Sequence, residues 1–343
     1  MRPATDWKEI IPEGEPARLE RHAEDLLALQ RRRAGGRRAL RGLHAKGNAG
    51  LEAELTVLSD LPEPLRVGLF AAPATYRSYV RFSNGSGLIQ DDKKSDIRGV
   101  ALKVVGVEGK KIIPGMEDAK TQDFLLIRSP ATPFRDADEF VGFVLAAESP
   151  ALLLPRAVKL FGLGGTLQLL RRLTRGLGAP TMSLATTRYY SALPIRYGAF
   201  AAKYALRPHR AATPAGGAKK GSADHLGEEL AAALLHEPVV YDFQVQLYTD
   251  EARTPIEDAS VEWKEEDSPF VTVARLTLLK QDISSARGRR VAGLVDGLSF
   301  DPWHALTELQ PLGNMMRARN SAYRLSTKER GAAPEPDGTE SIE

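Results

Sequence analysis

Apolar residues recur at helical spacing over residues 16 to 34, PARLERHAEDLLALQRRRA, with acids towards the start and arginines at the end, the arrangement a helix dipole favours. The pattern predicts a leading helix with His22 on its polar side. The period then shortens, and strands are predicted at 51 to 58 (LEAELTVL), 75 to 83 (TYRSYVRFS), 97 to 106 (IRGVALKVVG) and 124 to 129 (FLLIRS). Clusters of Gly, Pro and Asp between them point to antiparallel connections. Two more strands are predicted in FVTVARLTLLK and in VVYDFQVQLYT, where Tyr241, Phe243, Val245 and Leu247 alternate with polar residues.

Residues 136 to 176 read as mostly helical. Their second half, ALLLPRAVKLFGLGGTLQLLRRLTRGLG, mixes leucines with cations, which fits a helix on a membrane surface as well as one covering a core. Pro155 and the glycines at 162, 164 and 165 interrupt it and favour packing. A Lys/Gly/Ala-rich loop is predicted near 211 to 222, an arginine-rich helix over 311 to 330 (PLGNMMRARNSAYRLSTKER), and a disordered tail over 331 to 343. No repeat or abrupt change of composition divides the chain. Residues 1 to 330 are therefore read as a single α+β domain, the leading helix followed over 44 to 330 by an antiparallel barrel with helices around it.

Composition narrows the function classes. The apolar share of 43% and charged share of 27% over 343 residues are ordinary for a globular protein. The net charge of +3 is small and the basic residues are dispersed, so nucleic acid is not an indicated partner. Absence of cysteine removes disulfides, thiolate nucleophiles, iron–sulfur clusters and cysteinyl zinc sites together. No segment approaches the roughly 20 uncharged residues of a membrane span, and the N-terminus has no secretory-type apolar run, so a cytoplasmic protein is expected.

Candidate chemistry gathers at two places. In LRGLHAKGNAG, residues 40 to 50, His44 stands just ahead of a glycine-rich turn and three residues after Arg41, a setting that suits a packed histidine as well as a reactive one. On the last predicted helix Arg319 and Tyr323 are four apart and so share a face. A guanidinium beside a phenol favours the phenolate that ferric iron takes as a ligand, although the pair also fits an arginine lying over a surface ring. His209, His225 and His236 show no His-x-x-x-His spacing.

Taken together and in order, several segments resemble the haem catalase family. RGLHAKG at 41 to 47 is similar to that family's distal histidine segment, VRFS at 80 to 83 to its next strand, and DIRGVALK at 96 to 103 to its Asp-x-Arg-Gly strand. TQDFLLIRSP at 121 to 130 resembles the strand that closes the distal pocket, FDP at 300 to 302 the approach to the proximal helix, and RNSAY at 319 to 323 the family's Arg-x-x-x-Tyr. The resemblance is strong over 37 to 145 and 296 to 330 and weak between. A chain of this length is expected to be a short, core-only member without the wrapping arm and the C-terminal helical domain.

The resemblance implies a catalase-type barrel, a b-type haem with its iron, and a role for each matched residue. Tyr323 is expected to ligate the iron and Arg319 to hold the phenolate charge; His44 is expected to be the acid–base group, oriented by Ser83. Arg41, Arg81 and Arg330 match the propionate-binding arginines. Phe134 is expected over the haem and Met315 on its proximal side. One position departs from the family: where catalases carry an asparagine before the distal strand, the alignment places Thr121, which offers one hydroxyl instead of an amide. His304 is a competing axial ligand, disfavoured by its loop setting and by the complete pattern downstream.

The implied activity is a haem peroxidase or weak catalase acting on hydrogen peroxide or small organic hydroperoxides, with a reductant the motifs do not specify. The alternatives are haem-dependent rearrangement or cleavage of fatty-acid hydroperoxides, as in allene oxide synthases, and a haem carrier or sensor without turnover. Retention of both His44 and Ser83 argues against the last. A homo-oligomer stays open, since the missing arm removes one basis for assuming a catalase-type tetramer.

Overall fold

A computed structural model describes residues 2–177, 181, 183–210 and 221–340. Most of the predicted loop near 211 to 222 lies outside them. Among the described residues nine strands form one sheet: β1 (Gly47–Val57), β2 (Thr75–Asn84), β3 (Arg98–Val105), β4 (Thr121–Ile127), β5 (Tyr189–Tyr190), β6 (Ile195–Tyr197), β7 (Phe200–Pro208), β8 (Val239–Leu247) and β9 (Phe270–Leu278). Antiparallel pairing runs from β5 through β4, β3, β2, β1, β9 and β8 to β7, and β5 pairs back onto β7. The predicted barrel is thus closed by eight strands, with β6 a short hairpin arm on β7. Closure leaves the long strands without a free edge.

Alternation fills the interior. Tyr241, Phe243 and Val245 of β8 are buried, and Phe243 meets Phe124 edge-on at 4.9 Å and stacks on Tyr204 at 5.8 Å. All six predicted strands are present. The region of β5 to β7 was not predicted as strand. Its longest run, FAAKYALRP, is rich in alanine and carries Lys203, weak β-formers that tertiary pairing overrides. Lys203 is nonetheless buried, its ammonium 5.1 Å from the Trp263 ring centre.

Six helices among the described residues surround the barrel: α1 (Glu15–Ala34), α2 (Ala137–Ala146), α3 (Leu153–Leu177), α4 (His225–His236), α5 (Ala286–Gly297) and α6 (Asn314–Arg330). Helix α6 begins later than the pattern predicted, after Gly313 at φ 87°. Its start is clamped. Asn314 Oδ1 accepts from the Ala137 N–H while its Nδ2 donates to Glu15, and Arg317 donates to Glu9, Glu15 and Glu257. This polar knot fixes α6 against α1 and α2 and so sets the position of every side chain farther along α6.

Helix α3 packs on the protein along part of its surface. It bends at Gly162 (φ 68°), and only one face is covered: Ala157, Thr166 and Leu169 are buried while Leu160, Leu163 and Leu167 are exposed. The tail is expected to be disordered over 331 to 343, of which 341–343 lie outside the described residues. Residues 331–340 lie against the barrel, because Ala333 N–H donates to Gly297 O and the Glu335 carboxylate accepts from Lys103, Thr121 and Ser299. A buried cation at Lys103 draws the acidic tail inward. Among the described residues no helix is long and apolar enough to cross a membrane.

Candidate active site

A cavity of about 440 Å³ lies between the outer face of β2, β3 and β4 and the inner faces of α1, α2 and α6. His44 lines it from the segment leading into β1. Its backbone is left-handed at φ 55°, rare for a residue with a side chain, and is held there by its N–H donating to Gly85 O at 3.0 Å. Nδ1 lies 2.9 Å from Ser83 Oγ, which β2 carries on the same face as Arg81. Burial, then the nearby charges of Arg81, Arg319 and Arg41, depress the imidazole pKa to about 3, so His44 is neutral at physiological pH. The pair it makes with Ser83 occupies Nδ1 and leaves Nε2 for a proton.

Space for this ring comes from Gly99 of β3. A Cβ there would fall 2.6 Å from His44 Cε1 and 2.9 Å from Nδ1. Gly99 lies within the Asp-x-Arg-Gly segment, and only the cross-strand geometry shows what it makes room for.

Arg41, Arg81 and Arg330 gather at one side of the cavity. Asp296, at the end of α5, accepts from Arg41 Nη1 and Arg81 Nε, each at 3.0 Å. Arg41 and Arg330 also donate to the Leu298 carbonyl. Burial, with repulsion from neighbouring guanidiniums, lowers Arg41 to about 9 and Arg330 to about 10. For Asp296 burial works against ionisation, yet Arg81 and Arg41 override it and hold the carboxyl below its usual range. Nothing in the sequence marked Asp296, because its partners are distant in the chain.

The helical wall supplies Tyr323, Arg319 and Met315 from α6. The Arg319 guanidinium carbon is 5.8 Å from the centre of the Tyr323 ring, the one-turn juxtaposition their spacing predicted. Met315 is buried, as is Phe134, which packs edge-on against Phe140 at 5.3 Å. His22 borders the same cavity instead of lying wholly on the polar side of α1, and its Nε2 is 2.6 Å from Asp138 Oδ1.

Nine of the ten predicted site residues line this one cavity; Thr121 is the exception. It sits at the far end of β4 with its hydroxyl donating to Glu335 at 2.7 Å, so the structure corrects the expectation that it faces a bound peroxide. The reason is the buried Lys103, which lies 2.7 Å from Asp123 and 2.6 Å from Glu335 and organises the side chains around it. Lys103 and His304 overcome the burial that would raise Glu335 and hold it at about 2, whereas burial pushes Asp123 up to about 8. His304 belongs to this cluster, 3.5 Å from Glu335, and does not line the cavity.

No family model matches the sequence. The catalase-related peroxidase of Mycolicibacterium paratuberculosis (strain ATCC BAA-968 / K-10) is 30% identical over 325 aligned residues, which cover 88% of this chain and 94% of that protein. The chain belongs to the catalase-related peroxidases. Members of this family are oxidoreductases, and the catalase-like barrel of this one is matched by solved structures. A bacterial catalase superposes with a TM-score of 0.63 at 18% identity and a fungal catalase with 0.64 at 16%. Catalase A from Saccharomyces cerevisiae gives 0.63 at 14%. Each alignment covers 88% of this catalase-related peroxidase but only 59%, 61% and 62% of the respective catalase, so the chain spans about three fifths of those proteins.

Proposed function

We propose that this chain is a haem-dependent peroxidase that reduces hydrogen peroxide or small organic hydroperoxides. The observation that carries the reading is one largely apolar cavity with His44 and Ser83 on the barrel wall and Arg319 and Tyr323 on the helical wall. The donor set fits a b-type haem: Arg41 and Arg81 share a single carboxylate, Asp296, while Arg330 donates only to backbone carbonyls, so the three guanidiniums suit a ligand bearing two more carboxylates and the apolar lining suits a macrocycle. Arg41, Arg81 and Arg330 would hold the propionates, Phe134 and Met315 would pack on the ring, and Tyr323 would ligate the iron with Arg319 balancing its charge. Bound there, the haem supplies a ferric centre at which an O–O bond is cleaved heterolytically.

The remaining chemistry belongs to the protein. With Nδ1–H donated to Ser83, Nε2 of His44 takes a proton from one peroxide oxygen and returns it to the other, turning the departing oxygen into water or an alcohol. Its neutrality keeps the lone pair free for the first transfer. A carrier or sensor needs neither the strained histidine nor its serine partner.

A second reading concerns substrate. Thr121 is turned away, and Leu125, Phe134, Phe143 and Val144 are among the wall residues, which favours organic hydroperoxides, including those of fatty acids, over hydrogen peroxide. Oxygen release from hydrogen peroxide, measured beside consumption of an organic hydroperoxide by the haem-loaded protein, tests both. Consumption of the organic substrate exceeding oxygen release supports the second reading; efficient oxygen release contradicts it; reaction with neither contradicts the peroxidase reading.

A further inference from the structure

Helix α3 presents a face that none of the described residues covers. Leu163 is 77% exposed, Leu154 and Leu160 each 55%, and Leu167 51%. Beyond the bend at Gly162, positions 163, 167 and 170 follow helical spacing and form one stripe, beside the side on which Thr166 and Leu169 are buried. Exposed leucines in such continuity are unusual on a free surface.

The charge around the stripe has one sign. Residues 151 to 177 contain no aspartate or glutamate, and Arg156, Lys159, Arg171 and Arg175 are exposed with no carboxylate partner among the described residues. The neighbouring acids are already engaged: Glu139 holds Arg135 and, on α3 itself, Arg172, and Glu148 holds Arg33.

We propose that this face of α3 docks on an anionic lipid surface, the leucines entering the acyl boundary and the four cations resting on phosphate headgroups. An amphipathic helix with leucines on one side and cations flanking them has the chemistry of an in-plane membrane helix. A second copy of this chain is a poorer occupant, since two-fold pairing would bring the same unpaired cations together. The inner side of α3 carries Leu173, which lines the cavity, so docking would bring that wall close to the lipid. This binding property is independent of the haem reading.

Co-sedimentation of the full chain with phosphatidylcholine vesicles, with and without phosphatidylglycerol, tests it. Binding is expected only to the anionic vesicles, falling as salt is raised. Leu163→Gln, Leu167→Gln and Leu170→Gln together should weaken it by at least roughly tenfold. Replacing the four cations by Gln should cost roughly fivefold per charge. All these side chains are exposed, so circular dichroism should stay unchanged. Absence of binding to either vesicle, or equal binding to both, overturns the proposal. So does a dimer in sedimentation velocity that the leucine variant splits while no vesicle is bound, which would make this face an interface between copies.

Discussion

The His44 ring fills the space that a side chain at Gly99 would need: a Cβ there would lie 2.6 Å from Cε1. Gly99→Ala should therefore push the imidazole off Ser83 while leaving the arginines and Tyr323 in place. Haem content should be kept, peroxide consumption in stopped flow should slow at least roughly tenfold, and overpacking should remove about 1–3 kcal/mol of stability. A variant that reacts at the parent rate would free His44 from the assigned role.

His44→Ala tests that role directly. General acid–base groups contribute roughly a hundredfold to ten-thousandfold, so peroxide consumption should fall by about that factor with haem still bound. Ser83→Ala should slow it less, because only the orienting bond at Nδ1 is lost.

The pH dependence has a definite sign. His44 titrates near 3 in the folded chain because it is buried and faces Arg81, Arg319 and Arg41, whereas an unfolded histidine titrates near the ordinary imidazole value of 6.5. Between these values the unfolded state binds the proton and the folded state does not, so this group leaves stability intact above about pH 6.5 and removes it progressively as pH falls towards about 3. Over the same window the folded histidine stays a base. The acid limb of the peroxide reaction should accordingly lie below about pH 4 instead of at the usual histidine pKa; a limb near 6.5 would contradict the buried, neutral imidazole.

Glu335 carries a structural prediction. Its carboxylate serves Lys103, Thr121 and Ser299, so Glu335→Ala should cost roughly 3 kcal/mol or more in urea denaturation by leaving buried donors unmade. Thr121→Val should shift stability through the same cluster and leave the peroxide rate unchanged. A rate loss at Thr121 without a stability loss would restore it to the distal pocket.

Much of this was legible in the sequence because it is local. Strands with strict alternation, such as β8, and the four-residue step from Arg319 to Tyr323 are written in neighbouring positions. The Arg41–Asp296–Arg81 bridge joins residues more than two hundred positions apart, and no local pattern could announce it. Thr121 was misplaced for the same reason: alignment gives a position along β4, but the partner that turns its side chain lies in the tail, whose composition reads as disordered. Strand β7 was missed because alanine carries almost no β signal until its neighbours pair with it.

The central claim is that Tyr323 ligates a haem iron in this cavity. The direct measurement is the ferric absorption spectrum and haem content of Tyr323→Phe, recorded beside His304→Ala. Tyr323→Phe should lose most of its haem or show a changed ligand, while His304→Ala, altered outside the cavity, should keep the parent spectrum. An unchanged spectrum and full haem content in Tyr323→Phe, with loss in His304→Ala, would contradict the account and make His304 the axial ligand.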